Sequence, residues 1–201
     1  VAHDGWVGPP RHAQWVCGPN WSRHHDHMAS LSAMVTAGGR VFYIIDEGPR
    51  AAILLPAQWA LVARDAFSGV LLWKRPIAEW NTHLWPLKSG PNQLQRVYVT
   101  LGIDAPVEAL DAATGKTLLV YPGTEHADEL LVAGDDLLVL AGGGPNRWKQ
   151  YRPQHTYVWD NTQRANRDWA WDGSPREVLA LRAADGKLLW KHCSPVAPLT
   201  L

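Results

Sequence analysis

Phenylalanine, methionine and cysteine are nearly missing from this chain, with two of each in 201 residues. The two cysteines, Cys17 and Cys193, stand near opposite ends and have no zinc-type spacing. They pair only if the fold brings those ends together; the simpler expectation is two inert thiols packed as small hydrophobes. No run approaches the ~18 apolar residues of a membrane helix, so no membrane insertion is expected. Neither sign of charge is in excess, since Lys plus Arg and Asp plus Glu each number 19. That balance gives no electrostatic reason to expect nucleic acid or an anionic membrane as a partner. Helical 3.6-residue periodicity is scarce. There is no signal-peptide pattern, and the first residue is Val1 and not Met, which suggests a processed or truncated N-terminus and leaves the compartment open.

What the chain does contain is tryptophan, glycine and proline. Twelve Trp, 17 Gly and 15 Pro, with 46% hydrophobic and 19% charged residues, describe a globular strand-and-turn protein. Residues 33–37 and 40–45 flank Gly38-Gly39, a two-residue hairpin signature. Residues 130–133 and 137–141 flank Gly134-Asp135-Asp136, a similar device expected to be one residue longer. Further strands are predicted at 60–64, 96–101, 107–111 and 178–182.

An internal repeat decides the architecture. Residues 63–73 (ARDAFSGVLLW), 109–119 (ALDAATGKTLL) and 180–190 (ALRAADGKLLW) share one pattern, with Gly69, Gly115 and Gly186 at the same place. Each copy ends a strand in an inward Ala, turns through a polar residue and a Gly free to take positive φ, and places a bulky residue at a fixed offset. Those residues are Trp73, Leu119 and Trp190. A sheet too small to bury its own face has to stack on neighbours, and a wedge of this size once per unit suits that stacking. A two-sheet sandwich of similar strands would not explain three copies of the turn.

The pattern resembles the tryptophan-docking repeat of pyrroloquinoline-quinone-type (PQQ-type) β-propellers, shared by quinoprotein dehydrogenases and by non-catalytic scaffold lipoproteins of outer-membrane assembly. The copies depart from it at Leu119, where Trp is usual, and at Arg182, where Asp is usual. The resemblance implies an all-β fold: a partial β-propeller of about three four-stranded antiparallel blades belonging to a larger ring. Residues 1–31 are then an irregular lead-in, and blades occupy about 32–76, 77–122 and 123–193. Residues 194–201 would begin a further blade. The innermost strand of the second blade is either 83–87 or lost. Gly69 and Gly115 are 46 residues apart, whereas Gly115 and Gly186 are 71 apart, so a loop insertion of about 25 residues is expected within 142–176.

In propellers of this kind the loops after the second and fourth strands share a face. Applied here, that collects 46–59, 74–93, 102–106, 121–128 and 142–176, with the segment around residues 23–27 entering from the same side. Four candidate metal ligands lie there. His25 and His27, two apart on an extended segment, point the same way and could chelate a transition metal, the alternative being a solvated polar lead-in. Asp46 and Glu47 could supply hard-cation oxygens, the alternative being solvated carboxylates before a Gly-Pro turn. Trp80, His83, Trp85 and Lys88 are candidate cofactor contacts, because indole faces stack on planar cofactors or sugar rings; the alternative is a Trp-packed inner strand.

The resemblance leaves three functions open: a non-catalytic scaffold or ligand-binding module of a larger bacterial-type protein, a PQQ- and Ca²⁺-dependent oxidoreductase, and a polysaccharide-binding or polysaccharide-active propeller. Against the second, such dehydrogenases usually carry a vicinal Cys-Cys disulfide, and Cys17 and Cys193 are far apart. For the third, Tyr151, Arg152 and His83 are suitable residue types without a supporting spacing. By resemblance the setting is periplasmic or secreted, and the partners are the remaining blades, other proteins or a glycan.

Overall fold

The computed structural model describes residues 15–16, 31–48, 58–78, 84–88, 94–102, 104–142 and 175–195. Twelve strands among them form three four-stranded antiparallel sheets, each in chain order. Blade one holds β1 (Leu31–Ala37), β2 (Arg40–Asp46), β3 (Trp59–Asp65) and β4 (Leu71–Pro76). Blade two holds β5 (Leu84–Lys88), β6 (Leu94–Thr100), β7 (Val107–Asp111) and β8 (Thr117–Tyr121). Blade three holds β9 (Ala127–Ala133), β10 (Asp136–Ala141), β11 (Arg176–Arg182) and β12 (Leu188–Ser194). The first strands adjoin, β1 against β5 and β5 against β9, which is the inner wall of a partial β-propeller. The innermost strand of blade two is thus present as β5. No helix among the described residues is long and apolar enough to cross a membrane.

The hairpins follow from glycine. Gly38 and Gly39 both take positive φ, 56° and 73°, as a two-residue type I′ loop demands, and Ala37 pairs with Arg40. The β9–β10 hairpin is one residue shorter than its sequence suggests. Asp136 pairs with Ala133, so the loop is Gly134-Asp135, and Gly134 takes the positive φ. Pairing recovers a ladder bond that a three-residue loop would forgo.

Period-two alternation sends the two faces of blade two to different neighbours. Val97, Val99, Leu110 and Ala112 pack with Phe42, Ile44, Leu61 and Trp73 of blade one. Tyr98, Val107, Ala109 and Tyr121 pack with Leu130, Leu137, Val139 and Leu181 of blade three. Two core clusters therefore lie between sheets, and a third, of Tyr43, Ile45, Ala60 and Val62, lies on the other face of blade one.

The turn joining the two outer strands is built alike three times. Gly69, Gly115 and Gly186 donate their amides to Asp65, Asp111 and Arg182, and the register of the outer pair slips at Ala63/Arg64, Ala109/Leu110 and Ala180/Leu181. The bulge twists the outer strand and re-aims its side chains. In the first two turns a carboxylate opens the loop: Asp65 Oδ1 accepts from the Ser68 amide and hydroxyl, and Asp111 Oδ1 from those of Thr114. In the third, donor and acceptor change places. Arg182 opens the turn and donates to Asp185, which stands where Ser68 and Thr114 stand. The Arg182 departure is thus compensated within its own turn.

These bonds hold both carboxyls below the ordinary 3.8, chiefly through the Thr114 hydroxyl at Asp111 and the Ser68 amide at Asp65. The native state then binds the proton less tightly than the unfolded chain. Their contribution is complete above the unfolded value and is lost as pH falls through the lower native one. Acid titration of denaturant midpoints should therefore show stability falling below about pH 4, with a shallower fall in Asp111→Asn. An unchanged slope in that variant would contradict the assignment.

Aromatic side chains seat on these turns, two of them from the preceding blade. Trp73 donates Nε1–H to Ala112 O at 3.1 Å, and a Cβ on Gly115 would lie 2.7 Å from its Cδ2. Trp15 does the same to blade one: Nε1–H to Ala66 O at 2.9 Å, with 2.7 Å between its Cδ2 and a Cβ on Gly69. The aromatic at the third turn is Tyr121, whose hydroxyl donates to Ala183 O at 2.6 Å while its ring covers Gly186. Leu119 stands in register where Trp73 stands but has no donor, and Tyr121, two residues on and facing the same way, supplies it. Burial, with Tyr98 beside it, raises the Tyr121 phenol far above its usual range, so it stays a donor.

Candidate functional site

Among the described residues, the rim formed by the β2–β3, β4–β5, β6–β7, β8–β9 and β10–β11 connections carries Asp46, Glu47, Asp104, His126, Asp128 and Arg176. Asp46 and Glu47 sit there and are drawn apart by strand alternation. Asp46 is 2% exposed, and its Oδ1 accepts the amides of Gly48 and Gln58, both at 2.8 Å. It closes the β2–β3 connection by tying its two ends. Glu47 is exposed and pairs with Lys74 of β4 at 2.7 Å. Asp46 Oδ1 is thus committed to two backbone amides and Glu47 to an ammonium.

Of the cofactor candidates, Trp85 and Lys88 lie on β5, in register with Tyr98 and Leu94. Because β5 runs away from the rim, Lys88 stands at the opposite end of the strand, in register with Leu94. Residues 74–93 therefore do not share one face. Trp80, His83, His25 and His27 lie outside the described residues, as do Cys17 and most of the 142–176 insertion. Cys193, on β12, is exposed.

Two pairs on the rim come from loops distant in sequence. His126 Nδ1 lies 2.9 Å from Asp104 Oδ1, joining the β8–β9 and β6–β7 connections, and Asp104 is nearly buried. Among the described residues His126 alone takes a positive φ without being glycine, at 66°, a conformation that costs on the order of 1–3 kcal/mol. Its carbonyl is held by the Gly142 amide at 2.9 Å. Beside it, Arg176 Nε donates to Asp128 Oδ2 at 2.6 Å, and a Cβ on Gly142 would stand 3.3 Å from that same Oδ2. The ion pair thus ties the start of β9 to the start of β11, where the 142–176 insertion rejoins the sheet.

Chemically, a carboxylate on Nδ1 fixes the imidazole's orientation and leaves Nε2 as the nitrogen for exchanging a proton or taking a ligand. Among the described residues no group of three His, Cys, Asp or Glu is placed to hold a metal ion. Sequence reasoning set His126 on this rim but found neither its carboxylate partner nor the Asp128–Arg176 brace. The 22- and 48-residue separations leave no periodic signal.

No family model matches the chain, and no curated protein matches it in sequence. Among solved structures, an acylaminoacyl peptidase of Pyrococcus horikoshii overlays 87% of this chain on 27% of its own, with 12% identity and a TM-score of 0.53. The quinohemoprotein alcohol dehydrogenase of Comamonas testosteroni matches 87% of this chain over 22% of its length, with 16% identity and a TM-score of 0.45. BamB of Moraxella catarrhalis matches 79% over 50%, with 16% identity and a TM-score of 0.35. The chain spans only part of each. At these identities a likeness speaks for the fold alone; the three four-stranded sheets, with their first strands side by side, describe this chain as part of a β-propeller.

Proposed function

We propose that this chain is a non-catalytic propeller module of PQQ-type repeats, acting as a scaffold or ligand-binding part of a larger protein. One observation carries the reading. Four described carboxylates of the rim are used as braces: Asp46 within β2–β3, Glu47 to Lys74, Asp104 to His126, and Asp128 to Arg176. Carboxylates spent in this way hold loops in place and are poorly suited to hold a catalytic cation. The ligand-binding form of the proposal draws on His126, whose ring is already oriented. By resemblance we place the module in the periplasm or outside the cell, with further blades, other proteins or a glycan as partners.

The test is a titration with PQQ, with and without Ca²⁺, followed by tryptophan fluorescence. No saturable quenching is expected up to roughly millimolar PQQ, which corresponds to a binding free energy weaker than about −4 kcal/mol. Saturable, Ca²⁺-dependent quenching in the micromolar range would overturn the proposal in favour of a quinoprotein oxidoreductase. A glycan screen then separates scaffold from polysaccharide binder.

A further inference from the structure

Tyr98 stands where blade one has Phe42. In blade one, Phe42, Ala63 and Trp73 pair across β2, β3 and β4, and the matching row in blade two is Tyr98, Ala109 and Leu119. Both inner aromatics lean on the ring that covers a turn of the next blade. Ring centroids are 5.9 Å apart for Phe42 and Trp73, and 6.0 Å apart for Tyr98 and Tyr121. Two differences separate the seams. Leu119 is smaller than an indole, and the third turn is covered less closely: a Cβ on Gly186 would meet its nearest atom at 3.4 Å, against 2.7 Å on Gly115. Tyr98 also carries a hydroxyl that Phe42 lacks.

That hydroxyl is buried and unpaired. Tyr98 is 0% exposed, and among the described residues its Oη is the buried side-chain polar atom without a hydrogen-bond partner. Leaving such a donor unsatisfied is costly, so native interiors pair it with protein atoms or with ordered water. The nearby acceptor is already in use, because the Tyr121 hydroxyl and Arg96 Nη1 both donate to Ala183 O at 2.6 Å. The Tyr121 oxygen has given its own proton to that bond and keeps its acceptor capacity. After burial, which is the chief cause, Tyr98 is the next influence raising the Tyr121 phenol and Arg96 opposes it, so both groups face the Tyr121 hydroxyl.

We propose that the seam between blades two and three holds one buried water molecule, which accepts the Tyr98 O–H and donates to Tyr121 Oη. No counterpart is expected between blades one and two, where Phe42 has no hydroxyl and the Trp73 indole N–H is bound directly to Ala112 O. Tyr98 and Tyr121 are both 0% exposed, so the water exchanges with solvent only when the two blades part locally. Its residence time therefore reports the opening of that seam. The site lies inside the sheet stack and stands whether or not the rim takes a ligand.

Tyr98→Phe tests the proposal, since Phe42 shows that the position accepts the unsubstituted ring. Magnetic relaxation dispersion of the solvent deuteron and oxygen signals counts the waters held for longer than the protein's tumbling time. The count should fall by one in Tyr98→Phe and by one in Tyr121→Phe. It should also fall by one, and not by two, in Tyr98→Phe/Tyr121→Phe, because both hydroxyls hold the same molecule. An unchanged count in Tyr98→Phe would overturn the proposal, and so would a fall of two in the double variant. Should Tyr121→Phe lose its sheet circular dichroism, the count in Tyr98→Phe alone decides.

Discussion

Gly115→Ala should destabilise the chain by about 2–5 kcal/mol. An L-residue held at left-handed φ costs ~1–2 kcal/mol. Overpacking against a fixed ring adds ~1–3 kcal/mol. Both apply, since Gly115 has a φ of 72° and its added Cβ would sit 2.7 Å from two atoms of the Trp73 indole. The indole cannot retreat, because its N–H is bound to Ala112 O and its ring is packed on Phe42. Gly134→Ala is the control: φ is 62° but nothing lies within 4 Å, so only the backbone cost of about 1–2 kcal/mol applies. Gly186→Ala, with Tyr121 at 3.4 Å, should fall between them. Denaturant midpoints of the three variants check the order. Equal losses at Gly115 and Gly134 would mean that the indole does not lie on the turn.

Trp73→Ala should cost about 3–5 kcal/mol, as removal of a buried aromatic does. The same change at Trp190 should cost less than about 1 kcal/mol, the range of surface substitutions. The two residues share sequence context and bulge geometry, so the comparison isolates what a neighbouring blade contributes. Against a typical total of 5–15 kcal/mol, the first variant stands near unfolding and the second does not. Urea unfolding of both variants measures the gap; losses of the same size would contradict the packing of blade one on blade two.

Much of this fold is legible in the chain because its repeat lies in local chemistry. An Ala, a polar residue, a Gly and a bulky residue at fixed offsets specify the outer turn, the bulge and the wedge together. The exceptions have local causes as well. Leu119 read alone looks like a lost wedge, but alternation puts Tyr121 on the same face with a hydroxyl in reach of Ala183. Arg182 read alone looks like drift, but its partner Asp185 restores the turn from the other side. The seat of Trp15 on Gly69 was not legible, since residues 1–31 carry no strand pattern to announce it. The rim was the least legible part. Asp104 with His126, and Asp128 with Arg176, meet only because separate connections converge at one end of the sheets, and no spacing along the chain encodes that.

The central claim is that aromatic side chains of one blade lie on the glycine turns of the next, Trp73 on Gly115 and Tyr121 on Gly186, while Trp190 stands half exposed. Its most direct test is the solvent isotope shift of 5-fluorotryptophan resonances between H₂O and D₂O, assigned by single Trp→Phe substitutions. The account predicts almost no shift for Trp73 and a large one for Trp190. Shifts of equal size at the two positions would contradict it.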